Sequence, residues 1–102
     1  MTEKQFNEIS EWQNKTFPAA TALSKVFHLE KEVHELLNDL QDNNKERRLE
    51  YADCILLLFG SAATDGMSYE DVCNAIDEKM KINYFRKWGA PDVNGVVSHI
   101  NS

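Results

Sequence analysis

The chain has 102 residues, 42% hydrophobic and 27% charged, with a formal net charge of -6. That length suits one domain, expected over residues 1–102, and the composition excludes a disordered tail or a collagen-like repeat. The acidic balance argues against gripping a nucleic-acid backbone, and the longest apolar run, Ala52 to Ala63, contains Asp53 and is too short to span a bilayer.

The opening stretch, MTEKQFNEISEW, is polar and acidic rather than secretory. Cys54 and Cys73 sit in helical apolar patterns without a CxxC, as small buried residues of a reducing compartment do, so a cytoplasmic location is expected. A first helix is predicted from about Glu3 to Lys15, with Phe6, Ile9 and Trp12 turned inward or toward a ligand. Pro18 interrupts it. A second helix is predicted from about Thr21 to Gln41, where Leu23, Val26, Val33, Leu37 and Leu40 form one helical face. The short polar break Asp42-Asn43-Asn44 predicts antiparallel neighbours.

The third helix is predicted from about Lys45 to Ala63. Its centre, Ile55 to Phe59, is apolar on every side and needs covering all round. So short a chain has few helices to do that, so a second subunit is expected. Thr64-Asp65-Gly66 stops this helix, and Ser68 caps a fourth running from about Tyr69 to Lys87. Val72, Ala75 and Ile76 give that helix a core-facing line. Gly89 and Pro91 end it, and the tail from Ala90 has no long periodic pattern. The expected fold class is all-α, a four-helix bundle completed by oligomerisation, with a short C-terminal tail.

The strongest chemical signal is a pair of acidic pairs. Glu32 and Glu35 are three apart on the second helix, and Glu50 and Asp53 are three apart on the third. Residues at that spacing share a helix face. Folding about the Asp42 break sets Glu35 opposite Glu50 and Glu32 opposite Asp53. Four ionised carboxylates do not share a partly buried space without a cation. An all-oxygen donor set favours Mg²⁺, with Mn²⁺ as substitute, over zinc. No Glu-x-x-His pair is present, which argues against a di-iron bundle. Glu8 and Glu11 have the same spacing but no such companions, and read as a solvated face.

A basic helix end complements the acidic pairs. Lys79, Asn83 and Arg86 share a face, and Lys81 and Lys87 lie nearby. Beside a carboxylate-bound cation, the natural ligand of such a stripe is a polyphosphate. His28 lies one turn before Glu32 on the carboxylate side, whereas His34 points away. Trp12, Phe17 and Trp88 are candidates for stacking on a nucleobase. No P-loop, dinucleotide fingerprint or nucleophile elbow occurs.

ExxE, then ExxD, then Lys79-x-x-x-Asn83-x-x-Arg86-Lys87-Trp88-x-x-Pro91-Asp92-x-x-Gly95-Val96-Val97-x-His99-Ile100 resembles the MazG-like all-α nucleoside triphosphate pyrophosphohydrolases. The likeness is nearest to their small single-domain dATP/dGTP branch and spans nearly the whole chain. It implies Mg²⁺-dependent cleavage of a (deoxy)nucleoside triphosphate to monophosphate and pyrophosphate. It implies Glu32, Glu35, Glu50 and Asp53 as metal ligands, and Lys79, Asn83, Arg86, Lys87, Trp12 and His28 as substrate-binding residues. The catalytic set it implies is Glu35, Lys79 and Arg86. It further implies a homodimer or homotetramer, with neither nucleic acid nor membrane as a partner. The sequence departs from the family's EExxE, because Lys31 replaces its first Glu and Glu30 lies about 100° around the helix. The alternative is a helical interaction module that docks a partner on the apolar third helix.

Overall fold

The computed structural model describes Met1–Ile100. It contains α1 (Glu3–Thr16), α2 (Ala22–Gln41), α3 (Arg48–Thr64) and α4 (Tyr69–Phe85), followed by the short strands β1 (Lys87–Trp88) and β2 (His99–Ile100). The chain divides into two compact units, Met1–Val72 and Cys73–Ser102. No described helix is long and apolar enough to cross a membrane.

Side chains set the helix boundaries. Thr2 Oγ1 accepts the Gln5 N–H at 3.2 Å and starts α1. Thr21 and Ser24 form a reciprocal capping box at the start of α2. That helix ends on Asn43 with φ 55°, where the Asn44 N–H reaches back to the Asp39 carbonyl at 2.8 Å. Asn tolerates this left-handed turn better than most residues, and the turn reverses the chain within a few residues. Asn44 Oδ1 then accepts the Glu46 N–H while Arg47 Nη1 bonds the Asn44 carbonyl. These bonds hold a turn up to Arg47, so α3 begins at Arg48 rather than near Lys45. At its far end Gly66, with φ 98°, closes a similar motif. Ser68 caps α4 as the sequence predicts: Ser68 Oγ accepts the Asp71 N–H, and Asp71 Oδ2 accepts the Ser68 N–H. Those bonds hold the Asp71 carboxyl below its ordinary range.

In the first unit, α2 and α3 pack as an antiparallel pair. Lys25 Nζ donates to Thr64 Oγ1 at 2.7 Å, and Ser61 Oγ donates to the Ala22 carbonyl at 2.8 Å. Lys25 is only 4% exposed, and burial pushes its amine down. The last turn of α3 has no basic residue of its own, so Lys25 supplies positive charge at that carbonyl end from the neighbouring helix. α1 lies against α3. The Phe6 ring meets Phe59 edge-on at 6.0 Å, and Gln13 Nε2 donates to the Leu56 carbonyl at 2.9 Å.

Gly60 makes that approach possible, because a Cβ there would collide with the Gln13 amide. Gly60→Ala is therefore expected to destabilise the protein by about 1–3 kcal/mol through overpacking. Urea denaturation measures this, and an unchanged midpoint would contradict the close packing of α1 on α3.

The face of α2 turned toward α3 differs from the one its apolar pattern predicts. Ala22, Lys25, Leu29, Glu32, Leu36 and Asp39 are the buried or half-buried positions of that helix. Leu23, Val26, Val33, Leu37 and Leu40 are exposed, Leu23 at 64%. They centre about 100° around the helix from the packed face. Ala75 and Ile76 of α4 are exposed as well, while Val72 is buried. Among the described residues, Phe6 and Val72 are the buried apolar ones. So small a core leaves many apolar side chains on the surface of the described residues.

In the second unit α4 stops at Phe85, short of the predicted Lys87. The Arg86 N–H and Trp88 Nε1 both bond the Asn83 carbonyl, which tightens the last turn and leads into β1. The predicted irregular tail is a small antiparallel hairpin, with Lys87 opposite Ile100 and Trp88 opposite His99. Asp92 Oδ1 accepts the N–H groups of Asn94 and Val96, and Gly95, with φ 79°, completes the turn.

Candidate functional site

The α2–α3 pairing brings the predicted carboxylates onto neighbouring faces. Glu35 is raised above the ordinary 4.5, first by a hydrogen bond shared with Glu32, then by the charge of Glu32, by burial, and by the charges of Asp39 and Asp53. Glu50 is pushed up to about 7, first by a hydrogen bond shared with Asp39, then by burial and the charges of Asp39, Glu35 and Glu32. All four predicted residues thus belong to one electrostatic cluster spanning the two helices. The side-chain pairing differs from the expected one: Glu50 meets Asp39 rather than Glu35, and Glu35 meets Glu32.

Asp39 is a fifth member that the ExxE count misses. It lies seven residues after Glu32 and four after Glu35, so helical spacing carried the signal. Asp39 Oδ2 and Glu50 Oε2 are buried, and neither meets a hydrogen-bond donor. The closeness of the two carboxyls, with burial and the neighbouring charges, raises Glu50. The side chains stand in two pairs, Glu32 with Glu35 and Asp39 with Glu50. Among the described residues no three His, Cys, Asp or Glu side chains form a ready metal cage. The donor set nevertheless suits a hard cation: it is all oxygen and mutually repelling, with Glu32, Asp39 and Glu50 half-buried and Glu35 and Asp53 exposed.

Cys54 lies beside this cluster. Burial raises its thiol, with smaller contributions from Glu32, Asp53, Glu50 and Glu35. Both cysteines are free and half-buried. Lys31 and Glu30 are exposed on α2, and His34 is exposed, as expected.

A cavity of 190 Å³ opens next to the carboxylates, lined among others by Trp12, Phe17, His28, Glu32, Asp53 and Leu57. Trp12 is 58% exposed and packs edge-on against Phe17, with ring centroids 5.6 Å apart. His28 Nε2 lies 3.4 Å from Glu32 Oε1. The predicted nucleoside-facing residues Trp12, Phe17 and His28 therefore share one hollow with two of the predicted metal ligands. Gln13, which the sequence reading passed over, is 3% exposed and forms part of the same wall.

The basic residues belong to the second unit. Lys79 is exposed and Asn83 is half-buried on α4. Arg86 lies just past the helix end, half-buried, and Lys87 begins β1. Asn83 Oδ1 is buried without a donor. Trp88 packs edge-on against His99 at 6.2 Å.

The family model described as dATP/dGTP pyrophosphohydrolase matches residues 5–102. Among solved structures, a MazG-like pyrophosphohydrolase of cyanophage S-2L, bound to dGDP and three catalytic Mn²⁺ ions per active site, superposes with a TM-score of 0.79. The two chains are 29% identical, and the match covers 99% of each. No curated protein matches the sequence significantly.

Proposed function

The chain belongs to the dATP/dGTP pyrophosphohydrolase family and is a nucleoside triphosphate pyrophosphohydrolase; on that premise we propose that its substrate is a purine deoxynucleoside triphosphate and its cofactor Mg²⁺, with Mn²⁺ able to substitute. The carrying observation is the carboxylate cluster on α2 and α3, with Asp39 and Glu50 oxygens buried away from any donor. The all-oxygen donors and the cyanophage protein's Mn²⁺ ions support a divalent cation, and its bound dGDP supports a purine. The interaction-module alternative gives way to family membership.

Glu32, Glu35, Glu50 and Asp53 are the residues that would hold the cation, with Asp39 beside them. The cation would supply neutralisation of phosphate oxygens and a more acidic water. Glu35 accepts the proton of the attacking water; the hydrogen bond and charge of Glu32 raise its carboxyl above the ordinary value. Lys79, Asn83, Arg86 and Lys87 take the phosphates and stabilise the departing pyrophosphate. Trp12 and His28 line the nucleoside end. Lys31 replaces the family's first Glu, so no side chain at that position shares the work of Glu35.

The exposed apolar face of α2, with Leu49, Ile55 and Leu58 of α3 also exposed, supports a homodimer or homotetramer. The free thiols support a cytoplasmic location. The reaction is tested by separating the products from a panel of deoxynucleoside triphosphates with Mg²⁺. Monophosphate and pyrophosphate from purine substrates are expected, whereas stepwise orthophosphate release would contradict the proposal. Light scattering on the same sample is expected to give two or four times 11.7 kDa; a monomer mass would contradict the assembly.

A further inference from the structure

A second cavity adjoins the carboxylate site and has no role in the reaction described above. It measures 420 Å³ and is lined by Gln5, Glu8, Ile9, Trp12, Gln13 and Leu56. Trp12, Gln13 and Leu56 also line the smaller cavity that holds Glu32 and Asp53, so the two hollows share these three residues. Gln5, Glu8, Ile9 and Trp12 follow the three-and-four spacing of one face of α1.

A nucleotide with its phosphates at Glu32 and Asp53 carries its base one sugar further on. The smaller cavity has little left to read that base. Gln13 Nε2 is committed to the Leu56 carbonyl and His28 Nε2 faces Glu32, while Gln13 Oε1, buried without a donor, is a lone acceptor on a residue that lines both cavities. The larger cavity differs. Its wall is apolar at Ile9, Trp12 and Leu56, and the side chains of Gln5 and Glu8 are engaged in no hydrogen bond or ion pair among the described residues. An apolar slot with a few uncommitted polar groups is how a flat heterocycle is held and oriented.

Resting on the nucleotide-hydrolysing site proposed above, we infer that this cavity takes the nucleobase, that Glu8 reads it, and that the base is guanine. A carboxylate only accepts hydrogen bonds. The pairing edge of guanine presents N1–H beside the 2-amino group, two donors that match two carboxylate oxygens. Adenine presents the N1 lone pair there, acceptor against acceptor, with one donor at its 6-amino group. Gln5 has an amide donor for guanine O6, and Trp12 offers the base an indole face. The Glu8-Glu11 spacing is therefore not a decorative acidic pair: Glu8 lines the cavity, and Glu11 does not.

The test compares the wild-type protein with Glu8→Gln, which changes an exposed residue and spares the fold. Turnover of dGTP, dATP and dITP, the last lacking the 2-amino group, is measured with Mg²⁺. Binding of dGMP and dAMP with Mg²⁺ is measured by calorimetry. The wild type is expected to favour dGTP over dATP in kcat/KM by about 100-fold, with dITP between them. Glu8→Gln is expected to lower dGTP turnover and raise that of dATP, because the new amide donates to adenine N1. A wild-type preference for dATP, or equal losses on all three substrates, would overturn the assignment. If no pyrophosphate is released, the binding data decide. Guanine-selective binding lost in Glu8→Gln upholds the base reading while the reaction proposal falls. Equal binding of dGMP and dAMP, or binding of neither, overturns the base reading.

Discussion

Glu50→Gln and Asp53→Asn are each expected to lower turnover by about a thousandfold, equivalent to about 4 kcal/mol of transition-state stabilisation, while helical content by circular dichroism stays unchanged. Both substitutions keep the shape of the side chain and remove its charge. Glu50 is the sharper test. Its carboxyl is half-buried against Asp39 and pushed up to about 7. In the metal-free protein it is a liability, so Glu50→Gln is expected to hold or raise stability as it removes activity. Loss of function without loss of fold places the carboxylate in the chemistry rather than in the core. Full activity in both variants would contradict the assignment of the carboxylate cluster to the chemistry.

The pH dependence of stability carries a definite sign. An unfolded glutamate titrates near 4.5, whereas Glu50 in the folded protein titrates at about 7. Between those values the folded state holds the extra proton. Metal-free stability is therefore expected to fall as pH rises from about 4.5 to about 7. The full loss is present above about 7, and none of it below 4.5. Glu35 is raised as well and adds in the same direction. Asp71, held below its ordinary 3.8, acts only in more acidic solution and with the opposite sign. Mg²⁺ binds the ionised carboxylates, so it is expected to restore stability most at high pH. Urea midpoints at pH 5 and pH 8, with and without Mg²⁺, measure this. The wild type should lose stability between the two values without Mg²⁺, and Glu50→Gln should lose less. A metal-free wild type that is more stable at pH 8 would contradict the reading.

The helix hairpin was legible because helical spacing and a short polar break are local signals. Glu32, Glu35, Glu50 and Asp53 fall within one electrostatic cluster, but Glu50 pairs with Asp39 rather than with Glu35. The facing of α2 was not legible. Its apolar stripe is the stronger pattern, yet the face packed on α3 carries Lys25, Glu32 and Asp39. Polar residues at the seven-residue spacing look like surface until their partners on the second helix are known. Asp39 and Lys25 were overlooked for that reason, although each lies seven residues from Glu32. The terminal hairpin escaped because its strands are two residues long, too short for a period of two to register. Gln13 escaped because its burial depends on the missing Cβ of Gly60 on another helix.

Binding of Mn²⁺ to the metal-free protein, followed by electron paramagnetic resonance, addresses the carboxylate cluster without relying on turnover. The wild type is expected to sequester Mn²⁺ and to release protons as it does so. The Glu50→Gln/Asp53→Asn double variant, still helical, is expected to leave Mn²⁺ free in solution. Equal Mn²⁺ binding by the two proteins would contradict a cation site built from the carboxylates of α2 and α3.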